Sequence, residues 1–171
     1  RGLGLCYYIE SILGNPSETA KVEFNEDGSV SIYVGTQSNG QGHETVYAQF
    51  LSDQTGIPVE QIRVVQGDSD RIRTGGGTGG SRSVTTQNNA TLATVTSMIA
   101  AFASFLAEKT GVAESEIDFD DERFRVPGSN LTPTLTEIAA MARAEGRSDL
   151  LVHEETATLP ARSYPNGAHV A

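Results

Sequence analysis

Two stretches of the chain carry glycine, amide and hydroxyl groups at spacings that suit a phosphorylated or strongly polar ligand. The first is Gly35-Thr36-Gln37-Ser38-Asn39-Gly40-Gln41-Gly42-His43-Glu44. Glycines on both sides of Gln41 let the backbone approach a ligand closely, and the free N–H groups of a following helix's first turn favour an anion. Gln41 adds an amide that both donates and accepts. A plain turn with an exposed glutamine fits the same residues. The second stretch is Gly75-Gly76-Gly77-Thr78-Gly79-Gly80-Ser81-Arg82-Ser83. Its glycines cost backbone entropy on the order of 1 kcal/mol each when ordered, so an ordered loop needs something to hold it, and a bound ligand is one source. A flexible linker is the alternative. A nucleotide-binding P-loop is excluded, because Ser81-Arg82 stands where the lysine and the hydroxyl of that motif belong.

The titratable residues point to less. His43-Glu44 matches the opening of a zinc-protease helix, but position 47 is Tyr, so no pair of histidines shares a face and no metal site follows. His153 and His169 are isolated and read as surface or strand residues. Cys6, the single cysteine, lies in an apolar run and reads as a small core residue; one thiol makes neither an internal disulfide nor an iron–sulfur site. The acidic residues 118–122 read as a solvated turn. Arg71 and Arg73 suit either a phosphate or salt bridges to Asp68 or Asp70. No catalytic residue and no metal ligand is assigned.

The elements that position these loops follow from periodicity. Residues 3–9 (Leu3, Leu5, Cys6, Tyr7, Tyr8, Ile9) suit a buried strand. Residues 21–25 and 30–34 alternate around Asp27-Gly28 and predict an antiparallel hairpin. Val46, Tyr47, Phe50 and Leu51 share one helix face up to Gly56-Ile57-Pro58, and residues 60–66 read as another strand. Leu92, Val95, Ile99, Phe102 and Leu106 step by three and four along a long helix ending at Gly111, with Ser81 or Ser83 as its cap. Residues 116–126 read as one strand or a short hairpin. A helix starts at Thr132-Pro133 and stops at Gly146, and a strand covers residues 150–159. A last apolar run begins at Gly167. Both glycine-rich loops thus follow strands and lead into helices. The order predicts an α+β fold, a mixed β-sheet with helices packed against it.

Composition narrows the class. The 171 residues suit one domain. Twelve basic residues against 22 acidic ones give a net charge of −10 without a basic block, which excludes a nucleic-acid surface. The longest apolar stretch, residues 98–107, falls short of the roughly 20 residues a membrane span takes. The lone cysteine suits a reducing, cytoplasmic setting. Of 18 glycines, 14 fall in the first 80 residues and five lie within 75–80. The excess therefore belongs to the candidate loops.

Taken in order, Val34-Gly35-Thr36-Gln37 through Gly40-Gln41-Gly42-His43-Glu44-Thr45, then Val64-Val65-Gln66-Gly67-Asp68, then Gly76-Gly77-Thr78-Gly79-Gly80-Ser81-Arg82-Ser83, the sequence resembles the molybdenum-cofactor-binding large subunit of the xanthine dehydrogenase and aldehyde oxidase family, carbon monoxide dehydrogenases included. The resemblance covers most of the chain. It implies that Gly40, Gln41 and Gly42 form the glutamine loop that holds the pterin and its phosphate. It implies that Thr78, Gly79, Gly80, Ser81 and Ser83 line the cofactor on its dithiolene side, with Arg82 a phosphate or structural contact. The Gly-Ser-Arg-Ser form is similar to members using the cytosine dinucleotide version of molybdopterin.

The family's chemistry is oxidation by hydroxylation of aldehydes, purines or N-heterocycles, with electrons leaving through iron–sulfur and FAD subunits or domains. Its catalytic base is a glutamate near the far C-terminus of the subunit, and these 171 residues hold no counterpart. The resemblance thus implies a single molybdopterin-binding domain fragment over residues 1–171, truncated at both ends relative to its parent. Such a fragment is expected to be inactive and cofactor-free in isolation, its partners being the remainder of the large subunit and a small-molecule substrate. Two other classes stay open at this stage: a non-catalytic nucleotide or small-molecule binding module, and a structural or assembly domain.

Overall fold

The computed structural model describes residues 2–171. Its main sheet has four strands, in the spatial order Ile62–Gln66, Val30–Val34, Ser17–Phe24 and Val152–Thr158. The hairpin of β2 (Ser17–Phe24) and β3 (Val30–Val34) turns at Asp27-Gly28, where alternation and turn chemistry agree. Strand β4 (Ile62–Gln66) lies parallel to β3, and helix α1 (His43–Thr55) makes the crossover that a parallel pair requires. Strand β7 (Val152–Thr158) closes the other edge antiparallel to β2.

Helix α2 (Ser83–Thr110) is 28 residues, about 42 Å at 1.5 Å per residue, and crosses β2 and β7 on the sheet's inner face. Its inner stripe starts polar, with Gln87, Thr91 and Thr94, and turns apolar at Met98, Phe102 and Leu106. Thr91 and Thr94 donate to the carbonyls four residues back, which satisfies their buried hydroxyls. The apolar half meets Val22, Phe24 and Ile32 of the sheet, Leu51 of α1 and Ile138 of α3 (Leu135–Ala144) in one core. By length and hydropathy alone α2 would cross a membrane, although residues 98–107 fell short. Half of that window is buried within this domain, the position of a core helix. The acidic stretch forms the turn between the short strands β5 (Asp118–Asp120) and β6 (Arg123–Arg125), the hairpin alternative for residues 116–126.

The mixed-sheet α+β expectation holds, and four local readings are corrected. Strand β1 (Leu5–Ile9) is exposed along its length, Cys6 included, because it pairs only with β8 (Asn166–Val170) in a separate two-stranded ribbon. Leu92 points outward at 45 % exposure, since the buried stripe of α2 runs through Thr91 and Thr94 instead. Neither Ser81 nor Ser83 caps α2, whose N-cap is Arg82. Helix α3 starts one residue after Thr134, not at Thr132-Pro133, because Thr134 and Glu137 form a reciprocal capping box. Of the histidines, His153 is in β7, buried edge-on against Phe102, while His169 is exposed in β8.

Candidate functional site: two glycine-led helix starts

Both loops leave the carboxyl ends of the parallel pair β3 and β4, the edge at which open α/β sheets place ligands. Two contacts bring them together. Gly35 ends β3 against Gly75, and a Cβ built on Gly35 would lie 2.5 Å from the Gly75 Cα, so neither position admits a side chain. Thr78 then donates its hydroxyl to the Gln37 carbonyl at 2.5 Å, and Ser83 donates to Thr78 at 3.2 Å. The second loop is thereby tied to the first and to the start of α2.

In the first loop, Gly42 is the N-cap of α1 with φ 80°, and no side chain caps the helix. The Gln41 carbonyl oxygen turns back onto the Asn39 N–H and the Ser38 hydroxyl. That leaves the Gln41 side-chain NH2 without a partner among the described residues, together with the backbone N–H groups of Gln41 and Gly42. Cβ atoms added at Gly40 or Gly42 would meet open space. Beneath the loop, His43 Nδ1 lies 3.0 Å from the Thr36 carbonyl, and the Thr36 hydroxyl lies 2.7 Å from the Tyr47 hydroxyl and donates to Gln87 at 3.0 Å. Gln87 in turn donates to the Thr19 carbonyl. Burial pushes the Tyr47 phenol up, so it remains a protonated donor in this network. His43 is thus a buried anchor of α1, and there is no cluster of three or more metal-ligating side chains among the described residues.

In the second loop, Ser81 adopts φ 55°, a left-handed conformation that costs a non-glycine residue on the order of 1 kcal/mol. Arg82 is placed differently from its neighbours. Its guanidinium is 3 % exposed and donates to the carbonyls of Asn15, Gly77 and Ser17 and to the Glu18 carboxylate at 2.7–2.9 Å. Glu18 also accepts from the Gly76 N–H at 2.9 Å. This buried ion pair holds the loop from below and leaves Arg82 a structural contact. The N–H groups of Gly77, Thr78, Gly79, Gly80 and Ser81 carry no partner among the described residues, nor does the Ser81 hydroxyl. Arg71 pairs with Glu23 at 3.7 Å and with the Tyr33 hydroxyl, not with Asp68 or Asp70.

Glu18 and Gln87 were not singled out in the sequence, and Thr36 and Tyr47 were read there only as a loop residue and a helix-face residue. One signal existed for Glu18: extending the alternation of Phe24, Val22 and Ala20 back two more residues puts it on the buried face.

Taken together, the arrangement presents two uncapped helix N-termini, a free carboxamide and a hydroxyl on adjoining loops. These groups fit a phosphorylated heterocycle, because N–H donors and positive helix ends favour anionic oxygens and the glycines leave room for a ring to lie against the backbone.

Comparison with known proteins agrees. A family model described as a molybdopterin cofactor-binding domain matches residues 1–171. The large chain of carbon monoxide dehydrogenase from Afipia carboxidovorans is 34 % identical over 138 residues, 74 % of this chain and 17 % of the relative. The corresponding large chain from Hydrogenophaga pseudoflava is 31 % identical over 153 residues, 82 % of this chain and 19 % of the relative. A crystal structure of the Cu,Mo carbon monoxide dehydrogenase in its carbon-monoxide-reduced state superposes with a TM-score of 0.86 at 31 % identity, covering 99 % of this chain and 23 % of that one. The chain thus spans about a fifth of the length of these relatives. It belongs to the molybdopterin cofactor-binding domain family.

Proposed function

We propose that this chain supplies the backbone-donor part of the cofactor site in a molybdenum hydroxylase large subunit, and none of its catalytic base. Gly40, Gln41 and Gly42 hold the pterin and its phosphate through the free Gln41 carboxamide and the first-turn N–H groups of α1. Thr78, Gly79, Gly80, Ser81 and Ser83 line the opposite side with backbone N–H groups and the Ser81 hydroxyl. Arg82 acts from below by holding the loop, and the positive start of α2 suits the additional phosphate of a cytosine dinucleotide form. When bound, the cofactor supplies the two-electron oxidation and oxygen transfer by which an aldehyde, purine or N-heterocycle is hydroxylated. This chain's residues bind and orient it.

The donors lie on open surface, so the rest of the large subunit is needed to enclose the site, and residues 1–171 alone are inactive. Iron–sulfur and FAD subunits or domains accept the electrons, and a cytoplasmic location suits the unpaired thiol of Cys6.

The observation that carries this reading is the joining of two glycine-led, uncapped helix starts through Gly35, Gly75 and Thr78. The test is pterin and molybdenum content per folded protein in the full-length parent from a molybdenum-replete host. Gln41→Ala is expected to lower both while leaving the denaturation midpoint of the cofactor-free protein unchanged. A parent without pterin, or a Gln41→Ala variant with full content, overturns the proposal.

A further inference from the structure

The inner stripe of α2 carries Met98, Phe102 and Leu106 in the core, yet near its start the stripe holds Gln87, which is equally buried. A buried carboxamide costs free energy unless both its ends are paired, so packing alone would be served better by an apolar side chain. Both ends of Gln87 are paired. Its Nε2 donates to the Thr19 carbonyl at 2.9 Å, and because a carbonyl only accepts, this fixes Oε1 toward Thr36. Oε1 in turn only accepts, so the Thr36 hydroxyl spends its one proton there, and the Tyr47 hydroxyl 2.7 Å away donates to Thr36. The bonds therefore run one way, from Tyr47 of α1 through Thr36 at the root of the first glycine loop to Gln87 of α2 and on to β2.

Thr36 is also held from its other side, since its carbonyl lies 3.0 Å from His43 Nδ1 in the first turn of α1. Among the described residues, hydrogen bonds join α1 to α2 through Thr36 alone. The remaining ties, Gly35 against Gly75 and Thr78 to the Gln37 carbonyl, join loop to loop without reaching α1. The relative position of the two helix starts thus rests on one buried amide.

We propose that Gln87 is a positioning residue for the cofactor: through Thr36 it locks the first glycine loop and α1 to the start of α2, so that a ligand held by one loop orders the other. A rigid ligand spanning both helix starts needs them at one separation, and a fully paired, one-way chain of buried hydrogen bonds fixes that separation from within the core. Ordering one loop then lowers the entropy still to be lost at the other. The inference rests on the reading of both loops as cofactor contacts.

Hydrogen exchange of the cofactor-loaded full-length parent tests it, with Ser81→Ala as the disturbance on the second loop. With Gln87 in place, Ser81→Ala is expected to speed exchange several-fold at residues 77–85 and also across the link, at Gln41, Gly42 and the first turn of α1. In a Gln87→Met background the same substitution is expected to speed exchange at residues 77–85 alone. A Gln87 that only stabilised the core would, on Gln87→Met, speed exchange generally and leave the spread of the Ser81→Ala effect unchanged, and that result overturns the proposal. An effect confined to residues 77–85 with Gln87 in place overturns it too. Where Gln87→Met gives no folded, loaded protein, Tyr47→Phe keeps the ring, removes one link of the chain and is read the same way: confinement supports the proposal and spread overturns it. No effect of Ser81→Ala on either loop contradicts the cofactor reading itself, and the inference falls with it.

Discussion

At the start of α3, Thr134 accepts from the Glu137 N–H and the Glu137 carboxylate accepts from the Thr134 N–H, so the helix satisfies its own first turn. At the starts of α1 and α2 the N-caps are Gly42 and Arg82, and no side chain caps either one. A good cap is worth about 1 kcal/mol, so two missing caps leave about 2 kcal/mol unrealised within the chain. Ser81 adds a left-handed backbone beside one of them. The difference separates a helix that only has to pack from two that present their N–H groups outward. It also shows where the open starts find support instead: the Gly35–Gly75 contact, the Thr36–Tyr47–Gln87 network and the Glu18–Arg82 pair all lie beneath the loops.

Arg82→Met should break the comparison most severely. It leaves the Glu18 carboxylate, 1 % exposed, buried without its cation, which costs about 3–5 kcal/mol by denaturant titration of the parent. Adding Glu18→Gln is expected to recover part of that loss. Gly75→Ala comes next. Its Cβ would stand 2.6 Å from the Gly35 Cα, and the overpacking should cost about 1–3 kcal/mol together with cofactor content.

The sharpest contrast is smaller in energy. Thr134→Ala is expected to cost about 1 kcal/mol and leave cofactor content unchanged. Gln41→Ala should do the reverse, moving the stability of the cofactor-free protein by less than about 0.5 kcal/mol while cofactor content falls. The smallest effect is acid sensitivity. The Thr134 N–H holds the Glu137 carboxyl below its usual 4.5, so its contribution is whole above that pH and is lost as pH falls through the lowered folded value. Amide protection at the first turn of α3, relative to the intrinsic exchange rate at each pH, should fall over that window in wild type and not in Glu137→Gln.

The hairpin and α2's apolar half were legible in the sequence because turn chemistry and periodicity agree there. The two loops were legible as strand-to-helix connections rich in glycine, since only their local order mattered. The device beneath them was not, because Glu18 and Arg82 stand 64 residues apart and look like ordinary charges on a strand and a helix start. Ser81 and Ser83 looked like caps because serine usually is one. Here Ser83 spends its hydroxyl on Thr78, and Ser81 is held outside the helix by its positive φ. Residues 3–9 read as core because apolarity reports that a strand needs covering without saying what covers it.

Hydrogen exchange of the full-length parent, with and without its cofactor, tests the central claim most directly. Loading is expected to slow exchange at Gln41, Gly42 and the first turn of α1, and at residues 77–85, with no change at residues 135–137 of α3. Equal exchange at both glycine loops in the two states would contradict the account.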